Sequence, residues 1–223
     1  LYINQLEAIL VKSSKDIAYI GRRPLASLLY ADDAVLIART AFWLQRLVDA
    51  FVDFMTGLDL STNTAKSQVM VLGPRPSKSI IHAVKGAAMT NVNQFSYLGV
   101  KFDSRRTWGP LLKSHCANTS RAVGALFSFA SRLGRSPTDT MIKIYQAKCV
   151  SVAVYGCEIW GYCNVGSLQL IENNFCRRLL SAPPSSPAIV LHEELGLRFL
   201  SDIITQTAHP MAEDLVLGRF TPQ

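Results

Sequence analysis

The stretch Leu28-Leu29-Tyr30-Ala31-Asp32-Asp33-Ala34-Val35-Leu36-Ile37-Ala38 decides how this chain is read. Two short apolar runs flank a polar tip, a pattern that predicts a β-hairpin. Asp32-Asp33 is the only adjacent acidic pair before residue 190. Because both runs are almost wholly apolar, the hairpin is expected to be buried on both faces, with its two carboxylates emerging at a rim. Carboxylates fixed side by side repel one another unless a cation lies between them, and such hard oxygen donors suit Mg²⁺ or Mn²⁺. Cations held in this way stabilise the attacking and leaving oxygens of phosphoryl transfer. The plain alternative is an Asp-Asp turn that serves the backbone alone.

Outward from the hairpin, Ile3, Leu6, Ile9 and Leu10 recur at helical spacing and predict a helix over residues 2–11. On the other side, Thr40 can cap a helix in which Leu44, Leu47, Val48, Phe51, Phe54 and Met55 form one apolar stripe, with Gly57 as its stop. Residues 67–72 read as a strand closed by Gly73-Pro74, and residues 95–102 as another with alternating exposure. From Pro110 onward the pattern is helical, over 111–131, 138–156 after Ser136-Pro137, 165–181, and in shorter helices on either side of Gly196. A strand-bearing first part and an all-helical second part predict an α+β protein of two units, 1–108 and 109–223, joined near Trp108-Gly109-Pro110.

The 223 residues are 49% hydrophobic and 17% charged, which excludes disorder and collagen. No uncharged run reaches the length of a membrane span, so no bilayer crossing is expected. The opening on Leu1 and the charge at Glu7 suggest an internal piece of a longer chain, without a secretory or transit leader. Cys116, Cys149, Cys157, Cys163 and Cys176 contain no C-x-x-C pair, so neither a disulfide framework nor a zinc knuckle is expected, and a reducing compartment is the simpler reading. The four histidines are scattered and are taken as structural. Tyr155 and Trp160 are read as packing residues of an apolar helix. Charge is unevenly placed: residues 66–148 carry thirteen Lys or Arg against Asp103 and Asp139, whereas the rest of the chain is net acidic. Either a polyanion such as nucleic acid meets this basic middle, or it is a solvated surface.

Tyr30-Ala31-Asp32-Asp33 within its apolar flanks resembles the catalytic YADD hairpin of reverse transcriptases, in the form carried by non-LTR (LINE-like) retrotransposons. The segments C-terminal to it keep the family's order. Asn63-Thr64-Ala65-Lys66 resembles its Asn-x-x-Lys motif, and Phe95-Ser96-Tyr97-Leu98-Gly99 its primer-grip hairpin. Tyr155-Gly156-Cys157-Glu158-Ile159-Trp160 resembles the Tyr-Gly-x-Glu-x-Trp segment of the helical thumb, and Glu194-Leu195-Gly196 the Glu-Leu-Gly after it. The resemblance spans roughly residues 1–200.

The resemblance implies the C-terminal part of a right-hand polymerase palm, with antiparallel strands and helices, followed by an all-helical thumb and connection. Asp32 and Asp33 would ligate Mg²⁺ or Mn²⁺, and Tyr30 and Ala31 would lie near the primer end and incoming nucleotide. Lys66 would protonate the pyrophosphate leaving group, although Ser61-Thr62 lengthens the approach to Asn63, and a solvated lysine is the other reading. Phe95, Tyr97, Leu98 and Gly99 would hold the primer strand, while Arg121, Arg132, Arg135, Lys143 and Lys148 would track phosphates. The implied partners are an RNA template and a DNA primer, in the nucleus or cytoplasm, together with the N-terminal palm and fingers. The family's other catalytic aspartate lies on a strand well upstream of YADD, and Asp16, the one aspartate before Asp32, does not stand in such a strand. An RNA-directed DNA polymerase fragment, inactive as this isolated chain, is therefore the expectation. A nucleic-acid-binding module and a retrotransposon relic are the alternatives.

Overall fold

The computed structural model describes residues 3–20, 22–73, 82–132, 134 and 137–217. The fold mixes helix with small, mostly antiparallel two-stranded sheets, as an α+β reading requires. It divides into two compact units: residues 1–95 with 104–106, and residues 96–103 with 107–223.

In the first unit, α1 (Ile3–Ser13) leads into a hairpin of β1 (Ala18–Ile20) and β2 (Arg23–Leu25), which the sequence pattern does not announce. The Asp32-Asp33 hairpin comes next as β3 (Ser27–Tyr30) and β4 (Asp33–Leu36). Then comes α2 (Ala41–Gly57), whose first turn is capped by the Thr40 hydroxyl accepting from the Trp43 N–H at 3.5 Å. Leu6 and Leu10 of α1 meet Leu47 of α2, with Ile17 and Ala26 completing a core that contains no solvent-accessible Leu6, Leu10 or Leu47 surface. Each such leucine contributes roughly 2 kcal/mol by leaving water. Val48, on the next face of α2, packs with Val69, Val84 and Met89. The neighbouring strands are short: β5 (Gln68–Val69), β6 (Ala83–Val84), β7 (Ala87–Ala88) and β8 (Thr90–Asn91). β5 pairs in parallel with β8, and β6 with β7 antiparallel. The Gln45 side-chain amide stands in for a strand partner at Ala83, donating to its carbonyl at 2.8 Å and accepting from its N–H at 3.0 Å.

Several expectations are corrected here. Gly57 is the last helical residue rather than the stop, and the left-handed residue that ends the turn is Asp59 at φ 57°. The strand expected over 67–72 is only Gln68–Val69, because its partner β8 is equally short; Pro74 lies outside the described residues. The strand expected over 95–102 is folded back on itself as β9 (Gln94–Tyr97) and β10 (Val100–Asp103). Leu98 and Gly99 both take positive φ, 48° and 77°, and so form a two-residue turn of the I′ kind.

The second unit is helical. α3 (Gly109–Arg132) buries Leu111, His115, Thr119 and Leu126 at helical spacing. The helix expected over 138–156 is interrupted: α4 (Thr138–Ile144) passes into a π-helical segment (Tyr145–Val150), then α5 (Ser151–Val154). After α6 (Cys157–Trp160) come α7 (Gly166–Leu180), α8 (Ala188–Leu195), closed by Gly196 in the left-handed conformation, and α9 (Leu200–Leu217), which at 18 residues is not a short helix. One core gathers Leu126, Met141, Tyr145, Phe175 and Leu191; another gathers Val100, Leu111, Trp160, Leu168 and Ile204. No helix among the described residues is long and apolar enough to cross a membrane.

Candidate functional site

β3 and β4 pair antiparallel with Tyr30 opposite Asp33, which leaves Ala31 and Asp32 as a two-residue turn. Ala31 carries a positive φ of 50° at the first turn position, where glycine is the usual residue. The hairpin is not buried on both faces. Ala26 and Ser27 are buried, and Leu29 and Leu36 rest against the α1–α2 core, but Leu28 is 40% and Tyr30 61% exposed. Among the described residues, no third strand pairs with the two, so apolarity of the runs does not translate into a covered sheet.

The Asp32 and Asp33 carboxylates are exposed at the tip. Their chemistry suits a hard divalent cation, yet no group of three or more His, Cys, Asp or Glu among the described residues is placed to hold a metal ion. Two adjacent, solvated carboxylates supply part of a ligand set and do not by themselves complete one.

Asn63 organises the loop before β5. Its side-chain oxygen accepts from the Lys66 N–H at 3.1 Å, and its carbonyl accepts from the Ser67 hydroxyl at 2.9 Å. This local turn explains why asparagine stands three residues before the lysine. Lys66 itself is exposed, and it is not among the ion pairs of the described residues, which join Arg39 to Asp16 and His192 to Glu172.

In the second unit, a groove of about 610 Å³ runs between β9–β10, α3 and the π-helical segment. Lys101 and Lys148 line it together with Ser96, Asn118, Ser151 and Tyr155, and among the described residues no carboxylate does. Cation, hydroxyl and amide donors without acid are what a phosphodiester backbone requires. Gly99 and Lys148 are the expected nucleic-acid contacts that the fold brings into this groove. Leu98 lies beside them at the turn, partly exposed, while Phe95 and Tyr97 are half-buried. Arg121, Arg132 and Lys143 do not line the groove; Arg121 and Arg132 are exposed on α3, Lys143 is on α4, and Arg121 donates to the Asn118 side chain. Arg135 lies outside the described residues. Lys101 is a groove residue that sequence reasoning misses, because the hairpin resemblance stops at Gly99 and Lys101 stands on the returning strand β10.

The two aromatic residues expected to pack have different fates. Trp160 is fully buried against His115, with ring centroids 4.9 Å apart. Tyr155, by contrast, is 53% exposed, and its Oη donates to the Leu98 carbonyl at 2.7 Å. The cysteines are free thiols. Burial raises the thiol of each, pushing Cys176 up to about 12. Cys176 lies 3.9 Å from His192, which meets Asn173 at 3.0 Å, but a fully buried thiol that stays protonated at neutral pH is no nucleophile.

The chain is similar to the Drosophila melanogaster protein named "Probable RNA-directed DNA polymerase from transposon BS", with 28% identity over 129 residues. That likeness covers 55% of this chain and 14% of the relative, so the chain corresponds to a small part of the relative's length. No protein-family profile matches the chain, and no solved structure matches it. The similarity is to a protein named as a transposon RNA-directed DNA polymerase, over part of each chain.

Proposed function

We propose that this chain supplies the turn-bearing hairpin of the palm and the helical thumb of a non-LTR retrotransposon reverse transcriptase, acting on an RNA template and a DNA primer. The observation that carries the reading is the Tyr30–Asp33 pairing, which turns the YADD sequence into a tight hairpin with both carboxylates at its tip. The likeness to a transposon polymerase also supports it. Asp32 and Asp33 contribute two carboxylates toward Mg²⁺ or Mn²⁺, which in the complete site would steady the oxygens of nucleotidyl transfer. Lys66 would protonate the pyrophosphate leaving group, and Leu98, Gly99, Lys101 and Lys148 contact the primer strand.

The test is a template-primer assay on the 223-residue chain. Binding should weaken by about tenfold to a hundredfold between roughly 50 and 200 mM salt, as a few neutralised phosphates require. Primer extension with Mg²⁺ or Mn²⁺ should be absent, because the described residues supply only part of a metal's ligands. Extension that Asp32→Ala abolishes would overturn the incompleteness of the site, and absence of binding at low salt would overturn the polymerase assignment. A second reading, a nucleic-acid-binding module, draws on the acid-free groove. It predicts binding at low salt that Lys101→Ala with Lys148→Ala weakens, in a chain whose Asp32 plays no part in any polymerase.

A further inference from the structure

In the segment Tyr155-Gly156-Cys157-Glu158-Ile159-Trp160, Tyr155 and Gly156 meet the β9–β10 turn. Tyr155 reaches the Leu98 carbonyl through its hydroxyl at 2.7 Å. Its ring lies over Gly99, where an added Cβ would stand 3.0 Å from Cε1. One residue on, Gly156 takes φ 66°, and a Cβ there would meet Val100 Cγ2 at 2.9 Å. The indole N–H of Trp160 donates to the Tyr155 carbonyl at 3.0 Å, so the clamp is itself anchored by a fully buried ring.

The turn needs holding. Leu98 is a bulky side chain at φ 48°, a conformation that costs an L-residue and that Asn-Gly adopts far more readily. An exposed tyrosine is free to swing into solvent, yet this one is held by a charge-neutral hydrogen bond and a close ring contact to the strained turn bordering the groove. We infer that Tyr155 is a positioning residue: its hydroxyl and ring keep the Leu98-Gly99 turn in its left-handed form beside Lys101 and Lys148, and Gly156 and Trp160 keep Tyr155 in place. The consequence for primer binding rests on the polymerase assignment above; the clamp itself does not.

Two readouts on the full 223-residue chain separate these claims. Tyr155→Phe keeps the ring and removes the hydroxyl. Amide hydrogen exchange at residues 98–100 should become about tenfold faster, with the thermal midpoint lowered by no more than a few degrees and the exchange of α3 and α7 changed less than that of the turn. Affinity for a fluorescein-labelled template-primer should fall about three- to tenfold, as loss of one hydrogen bond that orders the groove implies. In a Leu98→Asn background, where the turn is no longer strained, the exchange effect of Tyr155→Phe should largely vanish. Unchanged exchange at 98–100, or a rise spread evenly over the second unit, would overturn the clamp. If the unaltered chain does not bind the template-primer, the polymerase assignment fails while the exchange result still decides the clamp.

Discussion

Ala31 sits at φ 50° in the two-residue turn that presents Asp32 and Asp33, and the hairpin maintains this conformation without a glycine. A left-handed alanine costs about 1–2 kcal/mol, and glycine would relieve that strain while giving back about half of it through its greater freedom in the unfolded chain. Ala31→Gly should therefore raise stability by about 0.5–1 kcal/mol, read as a higher denaturant midpoint without a change in slope. A loss of stability would mean that the methyl group makes contacts worth more than the strain. The position of this turn is legible in the sequence, since an acidic pair between apolar runs admits few conformations. Its burial is not: whether Leu28 and Tyr30 are covered depends on neighbouring strands, and apolarity of a run says nothing of what lies over it. Tyr155 departs from its expected packing role for a related reason, because an aromatic at a helix end can serve a core or a hydrogen bond with equal sequence signature.

Among the elements, those with strong periodicity and a cap are legible, and α2 from Thr40 onward is the clearest case. The strands β6 and β7 escape a reading of the sequence because alanine-rich pairs have no hydrophobic contrast, and the π-helical segment because one extra residue per turn leaves the apolar spacing nearly intact. Around that segment, Glu172 joins three elements. Its carboxylate accepts from Tyr145 Oη at 3.2 Å, from Gln169 Nε2 at 2.9 Å, and from the Leu200 N–H at 2.7 Å, which caps the start of α9. Burial raises its pKa, and the Leu200 N–H opposes the rise. Glu172→Ala leaves those donors unsatisfied in a buried core and should cost about 3 kcal/mol, whereas Glu172→Gln, which preserves an acceptor, should cost less than about 1.5 kcal/mol. Equal losses in the two variants, measured by denaturant unfolding, would show that volume rather than hydrogen bonding sets the effect.

Across the whole molecule, each unit buries a histidine whose pKa is lowered. Desolvation lowers the pKa of His82 in the first unit, and that of His115 in the second, where the Val152 carbonyl accepts from Nδ1 at 3.2 Å and partly offsets the fall. A lowered imidazole pKa means that the unfolded chain binds protons first as pH drops. The stability these groups contribute is therefore complete above about pH 6.5 and declines as pH falls from there toward their folded values. Each histidine can add at most about 1.4 kcal/mol per pH unit to that slope. Glu172, with a raised carboxyl, works in the opposite direction, losing stability as pH rises above its ordinary value, so the wild-type curve alone mixes the two. Comparison with His115→Gln separates them: the variant can still donate to Val152 and cannot titrate. Denaturant unfolding at about pH 7.5 and about pH 5.5 should show a smaller acid loss in the variant than in the wild type, by up to about 1 kcal/mol. Identical losses would mean that the His115 ring is protonated within the fold, and that the packing of Trp160 against it tolerates a charge.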